Sequence, residues 1–356
     1  MNINAIEALP QNTDPSITEE DNKKSIKDAE DDQTTYKERQ QQEEQETSEF
    51  DWSATLETDD TIDSPYTPHN HLMDATHSNF GSNPNIKIIV ANPTRRVWSL
   101  GSRYIVKEWI CPYNDGNIEA NATRLLKDRG VNVPVPNIVT SWKDGDWAFM
   151  ISERLPGQPL MDIWAELSTE DKYRIAKQTA DMVSKFRSIT SSTCCAFDGQ
   201  SIKDVNMLIG TEGRKEFGPL TSDAEVWEQM FRSKLDEVNA DEEHRRLLRK
   251  YMPRSGPYVF THGDLSFSNI VVDDDRNVSG ILDFEFSAYL PVWWEYVAAH
   301  FSFSQGDEEW KDILRQYLEP HEQAINWYMY WAELCKTPIP EDIDVWAQIL
   351  SKFEQL

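Results

Sequence analysis

One short stretch of the sequence concentrates side chains that could carry out acid–base or metal chemistry. Residues 260–287 read FTHGDLSFSNIVVDDDRNVSGILDFEFS and contain six acidic side chains, together with His262 and Asn269. A carboxylate close to apolar runs such as IVV and GIL is costly unless something pairs with it. That partner could be solvent at a turn, another protein group or a metal ion.

The pattern of this stretch predicts a β-hairpin. NIVV and VSGILDF flank DDDRN, so residues 273–277 are expected at the turn, where their carboxylates are solvated. Asp264 and Asn269 then lie at or before the start of the first strand, and Asp283 lies at the end of the second. Because a hairpin brings those ends together, two carboxylates and an amide oxygen converge. Such oxygen ligands suit Mg²⁺ holding a nucleotide phosphate, and an Asp nearby can take a proton from an attacking hydroxyl.

Residues 84–157, which precede this motif, have the pattern of strands interrupted by one helix. IKIIVAN, RRVWSL and SRYIVKEWI are rich in β-branched and aromatic residues and predict an antiparallel meander. DGNIEANATRLLKDRG predicts a helix that ends at Gly130, and a strand, a KDGD turn and another strand follow it. Residues 84–157 are therefore expected to form a small sheet with one helix.

The remainder of the chain has a helical pattern. Ser168, with Asp171 three residues later, resembles a capping box at the start of a long helix. AEVWEQMFRSKLDEV, EEHRRLLRKYM, VWWEYVAAHF, DEEWKDILRQYL and EQAINWYMYWAELC predict further helices. Residues 158–356 are thus expected to form a mostly helical lobe containing the hairpin. The aromatic residues of VWWEYV are interpreted as core packing.

The N-terminal segment has a different composition. The first 80 residues contain 20 acidic and 5 basic residues, with no Gly, Val or Cys. A segment of this kind cannot bury enough apolar surface to offset its chain entropy, so residues 1–83 are predicted to be a disordered acidic tail. Such a tail suits an arm that binds a partner of unknown identity.

Charge and cysteine usage restrict the partners and the compartment. The net charge of −27 argues against nucleic acid and is compatible with a cationic substrate. Four scattered cysteines without a C-x-x-C spacing indicate free thiols in a reducing compartment. The N-terminus has no secretory signal pattern, and the most apolar stretch is too short and too polar to span a bilayer. The protein is therefore expected to be cytoplasmic and not attached to a membrane.

Taken together, HGDLSFSN and a DFE that starts fourteen residues after its Asn resemble the signature of the aminoglycoside phosphotransferase and choline kinase-like family, with a particular likeness to fungal members. This family is related to the protein kinases. The resemblance implies an α+β, bilobal protein-kinase-like fold with a small antiparallel-sheet N-lobe and a larger, mainly helical C-lobe. It also implies that Asp264 is the catalytic aspartate and that Asn269 and Asp283 bind Mg²⁺.

Further residues match the family in the expected order. Lys107 in YIVKEW corresponds to the strand lysine that contacts the ATP phosphates, and Glu119 is its candidate partner on the helix. MISERLPGQPL resembles the hinge, where backbone amides from Glu153 to Leu155 would meet adenine. The loop over the phosphates has only Gly101, in VWSLGSR, as a candidate. His262 is interpreted as a structural brace of the loop, not a catalytic group.

The expected activity is therefore transfer of the γ-phosphoryl group of ATP to a hydroxyl of a small molecule, as in aminoglycoside or choline kinases. Ser266 stands two positions after Asp264, where many protein kinases have Lys, and no activation segment follows Asp283. Two alternatives stay open: a protein Ser/Thr kinase, and a catalytically weak pseudokinase that acts as a scaffold.

Overall fold

A five-stranded antiparallel sheet forms the N-terminal part of the fold, in the order β1-β2-β3-β5-β4. The structure is a computed structural model and describes residues 85–111, 118–202, 216–238 and 240–335. The strands are β1 (Ile86–Asn92), β2 (Arg95–Leu100), β3 (Tyr104–Ile110), β4 (Ile138–Asp144) and β5 (Trp147–Glu153). The predicted meander is confirmed, because β1, β2 and β3 pair in sequence order.

Among the described residues of this part, one helix lies between β3 and β4. Helix α1 spans Ile118–Asp128 and is followed by Gly130, whose φ of 63° lies in the left-handed region that glycine adopts without strain. Its buried side chains include Glu119, which is otherwise an unusual residue to find in a core. The helix therefore carries one acidic group inward toward the sheet.

Helices dominate the rest of the described chain. Ser168 caps the longest of them, accepting a hydrogen bond from the Asp171 backbone N–H at 3.1 Å as the capping pattern predicts. The helices are α2 (Leu160–Ile163), α3 (Thr169–Phe186), α4 (Asp223–Val226), α5 (Ser233–Glu237), α6 (Glu242–Tyr251), α7 (Trp294–Ala298), α8 (Gln305–Arg315) and α9 (Glu322–Leu334). A π-helical segment, Trp227–Arg232, joins α4 to α5.

Two small sheets within the helical part were not predicted, apart from one hairpin. The first has the order β10-β9-β6 and the second the order β11-β8-β7. Their strands are β6 (Gln158–Pro159), β7 (Thr190–Ser191), β8 (Tyr258–Thr261), β9 (Ile270–Val272), β10 (Val278–Ile281) and β11 (Ala288–Pro291). The predicted hairpin is β9–β10, closed by a hydrogen bond of 2.9 Å from Asp273 N to Asn277 O. The other strands are two to four residues long and pair with distant segments, so no local pattern indicates them.

Aromatic residues fill the centre of the helical part. The side chains of Trp293, Trp294, Trp310, Trp327 and Trp331 are all fully buried, and the packing role predicted for the first two is confirmed. Phe231 meets Trp327 and Trp331 edge to face, with ring centroids 4.8 and 5.2 Å away. The sequence VWWEYVAAHF is helical over a shorter range than predicted, because α7 ends at Ala298.

Gly157 lies where the chain enters the helical part, directly before β6. Its φ is 106°, and a Cβ added there would lie 2.3 Å from the Val272 carbonyl oxygen. Gly145, in the β4–β5 turn, has a φ of 57° but open space around it. Gly157 therefore combines a glycine conformation with a close backbone approach, and Gly145 has only the conformation.

We expect Gly157→Ala to lower the free energy of unfolding by about 3 kcal/mol or more, through backbone strain and overpacking. Gly145→Ala is the matched control and should cost only about 1 kcal/mol. Urea denaturation of both variants measures the difference. Equal destabilisation of the two proteins would contradict the close approach at Gly157.

Several sequence predictions concern other parts of the chain. The acidic tail, residues 1–83, lies outside the described residues. All four cysteines are buried and lie outside disulfide bonds, in agreement with the predicted thiols. Among the described helices, none combines the length and apolar character that a membrane-spanning segment needs.

Candidate active site

The loop between β8 and β9 carries the predicted catalytic residue. It runs through His262, Gly263 and Asp264 and ends in a 3₁₀ turn, Phe267–Asn269, before β9 begins. Gly263 has a φ of 83°, and a Cβ there would lie 3.0 Å from the Phe286 carbonyl oxygen. The loop is therefore packed tightly against the segment that follows Asp283.

His262 braces this loop through both ring nitrogens. Its Nε2 lies 2.9 Å from the Leu282 carbonyl oxygen, and its Nδ1 accepts a hydrogen bond of 3.2 Å from the Asp264 backbone N–H. Burial lowers the pKa of His262, which favours a neutral ring with its proton on Nε2. The ring thus links the backbone of Asp264 to the residue before Asp283, as expected for a structural histidine.

A carboxylate from α7 holds the same loop from beneath. Glu295 is only 1% exposed, and its two oxygens accept hydrogen bonds from the backbone N–H groups of His262, at 2.6 Å, and Gly263, at 3.1 Å. No motif in the sequence marks Glu295 as a site residue. A lone acidic residue in the apolar stretch VWWEYVAAHF was the available signal, since a buried carboxylate needs hydrogen-bond partners.

Side chains of helix α8 hold the other side of the loop, and no sequence motif indicated them either. Asp307 is fully buried and accepts a hydrogen bond of 3.0 Å from the Phe267 backbone N–H. Trp310 donates from Nε1 to the Leu265 carbonyl oxygen at 2.9 Å. Lys311 forms an ion pair of 3.1 Å with Asp307. The loop around Asp264 is therefore fixed on both sides by buried side chains.

Asp264 and Asn269 contact each other directly. The Asn269 side-chain amide donates from Nδ2 to Asp264 Oδ2 at 3.1 Å and to the Asp264 carbonyl oxygen at 3.0 Å. Burial raises the pKa of the half-buried Asp264 carboxyl, while the positive charge of Lys311 acts in the opposite direction. Asp264 therefore has a fixed orientation and increased basicity, both of which suit a general base.

Asp283 lies at the end of the hairpin, two residues after β10. It adopts a left-handed backbone conformation with a φ of 64°, which is uncommon for a residue other than glycine. The preceding backbone N–H, of Leu282, donates to the Asn269 carbonyl oxygen at 2.8 Å. Burial alone would raise the pKa of Asp283, but the charges of Lys107 and Arg95 lower it to about 2. The negative charge of Asp283 also raises the pKa of Asp264, which places both carboxylates in one electrostatic environment.

Lys107 connects the five-stranded sheet to Asp283. Its Nζ lies 2.7 Å from Glu119 Oε2 on α1 and 3.1 Å from Asp283 Oδ1. Burial alone would lower the pKa of Lys107, but the charges of Asp283 and Glu119 raise it above its usual value. Lys107 is therefore a fixed positive charge between the two parts of the fold, in contact with the helical Glu that was predicted as its partner.

The predicted hinge begins at Glu153, the last residue of β5, and some of its backbone N–H groups already have partners within the protein. Glu153 N donates to the Asn137 carbonyl oxygen at 2.8 Å, and Arg154 N donates to the Arg103 carbonyl oxygen at 2.7 Å. The Glu153 side chain pairs with Arg103 at 3.0 Å. The predicted amide donor at Glu153 is thus corrected, because its hydrogen is used within the protein. The Leu155 amide has no hydrogen-bond partner among the described residues and stays a prediction for adenine binding.

Gly101 lies too far from this cluster to cover it. It occupies the turn between β2 and β3, whereas the residue that reaches Asp283 is Arg95, at the opposite end of β2. At about 3.3 Å per residue, the length of β2 separates these two ends by roughly 16 Å or more. The prediction for Gly101 as the phosphate-covering loop is therefore wrong. The prediction was based on a single glycine. A glycine indicates a turn, but it does not indicate which turn of the sheet lies over the phosphates.

The oxygen ligands of the cluster fit a magnesium ion. Because Asn269 directs Nδ2 toward Asp264, the other terminal atom of the amide, Oδ1, is the oxygen that Asn269 could offer to a cation. In the described parts of the chain, no group of three or more His, Cys, Asp or Glu side chains is arranged to hold a metal ion. Mg²⁺ does not require such a cage, since it usually binds one or two protein oxygens, waters and substrate phosphates.

Three features define the class of this protein: the five-stranded sheet, the ion pairs of Lys107, and Asp264 and Asp283 on either side of the hairpin. The class is that of the kinase-like phosphotransferases with a bilobal α+β fold. Residues 89–328 match the family model described as "Phosphotransferase enzyme family", so the chain belongs to that family. The family predicted from the HGDLSFSN motif is thereby confirmed. No curated protein matches the chain significantly.

The solved structures that match the chain are distant from it in sequence. A streptomycin–ATP complex of the aminoglycoside phosphotransferase APH(2″)-IIa is 12% identical, with a TM-score of 0.45 and coverage of 76% of this chain and 91% of that one. The macrolide 2′-phosphotransferase MphH from Brachybacterium faecium is 16% identical, with a TM-score of 0.46 and coverage of 77% and 90%. A thermostable mutant of APH(4)-Ia with AMP-PNP and hygromycin B is 14% identical, with a TM-score of 0.47 and coverage of 78% and 94%.

Proposed function

We propose that this phosphotransferase moves the γ-phosphoryl group of ATP to a hydroxyl of a small molecule. The observation that supports this most strongly is the set of contacts joining Asp264 to Asn269 and Lys107 to Glu119 and Asp283. ATP would supply the phosphoryl group, and Mg²⁺ held by Asn269 and Asp283 would neutralise its charge.

The protein groups have separate roles in this proposal. Asp264 orients the acceptor hydroxyl and takes its proton on a carboxylate oxygen, while Asn269 fixes the rotamer of that carboxylate. Lys107 contacts the phosphates and is held in place by Glu119. The Leu155 amide is the remaining hinge donor for adenine. Most of the rate enhancement then comes from positioning and charge neutralisation.

The chain after Asp283 favours a small acceptor over a peptide. Ten residues separate Asp283 from the start of α7 at Trp294, and they form a 3₁₀ turn, Phe284–Phe286, and the buried strand β11. Because β11 pairs with β8, this segment is part of the sheet that supports the catalytic loop. It leaves no long loop in this position to serve as a platform for a peptide.

We also propose the lobe boundaries implied by the sequence, residues 84–157 and 158–356. The close approach of Gly157 to Val272 and the start of β6 at Gln158 support a boundary there. A cytoplasmic location and a partner for the acidic tail remain predictions from composition.

Measuring ADP release from ATP and Mg²⁺ with a panel of hydroxylated metabolites, aminoglycosides and macrolides tests the activity. We expect one acceptor class to stimulate ADP release and to gain the mass of one phosphoryl group. Generic Ser/Thr peptides in the same assay test the alternative acceptor. Phosphorylation of the peptides, with no stimulation by any small molecule, would show that the acceptor assignment is wrong.

A further inference from the structure

Arg95 reaches the candidate metal site from the five-stranded sheet. It is the first residue of β2, directly after the turn that joins β1 to β2. Its NH1 lies 2.8 Å from Glu285 Oε1, and its NH2 lies 3.1 and 3.4 Å from the two oxygens of Asp283. No family motif in the sequence indicated this residue. Its guanidinium thus spans both acidic residues of the DFE motif.

This position conflicts with a bound divalent cation. Asp283 Oδ1 already has Lys107 at 3.1 Å, so Arg95 adds a second positive charge to the same carboxylate. A magnesium ion ligated by Asp283 would stand within a few ångströms of the guanidinium, and like charges so close repel each other strongly in a partly buried site. Arg95 therefore competes with a divalent cation for Asp283.

The adjacent turn explains where Arg95 would go. In protein kinases a glycine-rich loop covers the nucleotide phosphates. Here the β1–β2 turn has no glycine, Pro93 has no backbone N–H, and Thr94 uses both its N–H and its hydroxyl to bond Asn92 Oδ1, at 3.0 and 3.1 Å. The turn therefore offers few backbone donors for a phosphate. Arg95 offers a planar fork of N–H donors that matches phosphate oxygens.

We propose that Arg95 is a phosphate-binding residue that replaces the glycine-rich loop, and that it exchanges Asp283 for the phosphates of the nucleotide when the divalent cation binds. This inference rests on the proposed use of ATP and Mg²⁺. It makes metal and nucleotide binding mutually dependent: Arg95 opposes a cation that arrives alone and stabilises one that arrives with the nucleotide. The ligand class is a nucleoside triphosphate complexed with a divalent cation.

Two affinities with opposite expected changes test this exchange. Binding of Mn²⁺ alone, measured by water-proton relaxation, should become about tenfold tighter in Arg95→Ala because a competing charge is gone. Binding of ATP in the presence of Mg²⁺, measured by calorimetry, should become about tenfold or more weaker because a charged phosphate contact is lost. A residue with only a structural role would not move the two affinities in opposite directions.

Arg96→Ala is the matched control. Arg96 has a similar side-chain exposure, 32% against 25% for Arg95, but pairs with Glu108 at 2.6 Å on the other face of β2. We expect both affinities of this variant to equal those of the wild type. Arg95→Lys keeps the charge and loses the fork, so Mn²⁺ affinity should stay near the wild-type value while ATP affinity falls. Because it changes the side chain least, this variant also tests the inference if Arg95→Ala does not fold.

Failure of the inference and of the proposed function can be told apart. Normal ATP affinity in the Arg95 variants, or a parallel loss of both affinities, overturns the role of Arg95 and leaves the proposed function intact. Absence of Mg²⁺-dependent ATP binding in the wild type overturns both.

Discussion

Replacing Asp264 with Asn is expected to lower the rate of phosphoryl transfer by about 10²- to 10⁴-fold, the usual contribution of a general base. The amide cannot accept the acceptor's proton, but it retains an oxygen that can accept the Asn269 hydrogen bond of 3.1 Å. Binding of ATP with Mg²⁺ should change little, because the proposed phosphate and metal ligands, Lys107 and Asp283, are not altered by the substitution. Rapid-quench measurement of the first turnover separates the chemical step from binding.

The control for this experiment is Asp274→Asn. Asp274 is exposed at the β9–β10 turn, so the same chemical change there should leave the rate unaltered. Asp264→Asn and Asp274→Asn proteins with equal rates would show that the Asp264 carboxylate is not the base.

Glu295→Ala is expected to have the largest effect on stability. The substitution removes the acceptors of two buried backbone N–H groups, those of His262 and Gly263. Each unpaired buried donor costs about 1–3 kcal/mol, so the free energy of unfolding should fall by about 2–6 kcal/mol. The catalytic loop should also lose its fixed position, which lowers the turnover of whatever protein remains folded. Urea denaturation followed by tryptophan fluorescence measures the first effect.

Two variants make the interpretation specific. Glu295→Gln keeps one oxygen acceptor and should lose less stability than Glu295→Ala. Glu308→Ala removes an exposed glutamate from the first turn of α8 and should change the free energy of unfolding by about 0.5 kcal/mol or less. If Glu295→Ala were as stable as Glu308→Ala, the two hydrogen bonds would not support the loop.

Local sequence patterns correctly predicted those elements of the fold whose residues are close together in the sequence. The β1–β3 meander alternates β-branched and aromatic residues, α3 has a capping residue at Ser168, and the β9–β10 hairpin has a run of Asp at its turn. Strands β8 and β11 could not be recognised this way. Each has four residues that are all buried, so neither shows the alternation of a half-buried strand.

The residues of the site, too, were predicted only in part. The spacing within HGDLSFSN and DFE led to Asp264, Asn269 and Asp283 because these residues are close in sequence as well as in space. Arg95 lies 188 residues from Asp283, and no periodicity links two such positions. The sequence shows Glu295 only as an acidic residue in an apolar helix. Its structural role depends on the backbone N–H groups that it binds, which are 32 and 33 residues away in the chain. Partners that are so far apart in the sequence can be recognised only in the folded structure.

The bonds on either side of Leu155 determine where the two lobes can turn against each other. The Arg154 backbone N–H donates to the carbonyl oxygen of Arg103, in the turn between β2 and β3, and the Pro156 carbonyl oxygen accepts a hydrogen bond from Ser279 on β10. A rotation of one lobe would therefore pivot near Leu155 and near Pro134, whose carbonyl oxygen accepts a hydrogen bond of 3.1 Å from Ile281 N on β10. An adenine bound to the Leu155 amide would sit on the axis of that rotation and hardly move, while Lys107 would swing away from Asp283. Product could then leave from the phosphate end as the base stays seated.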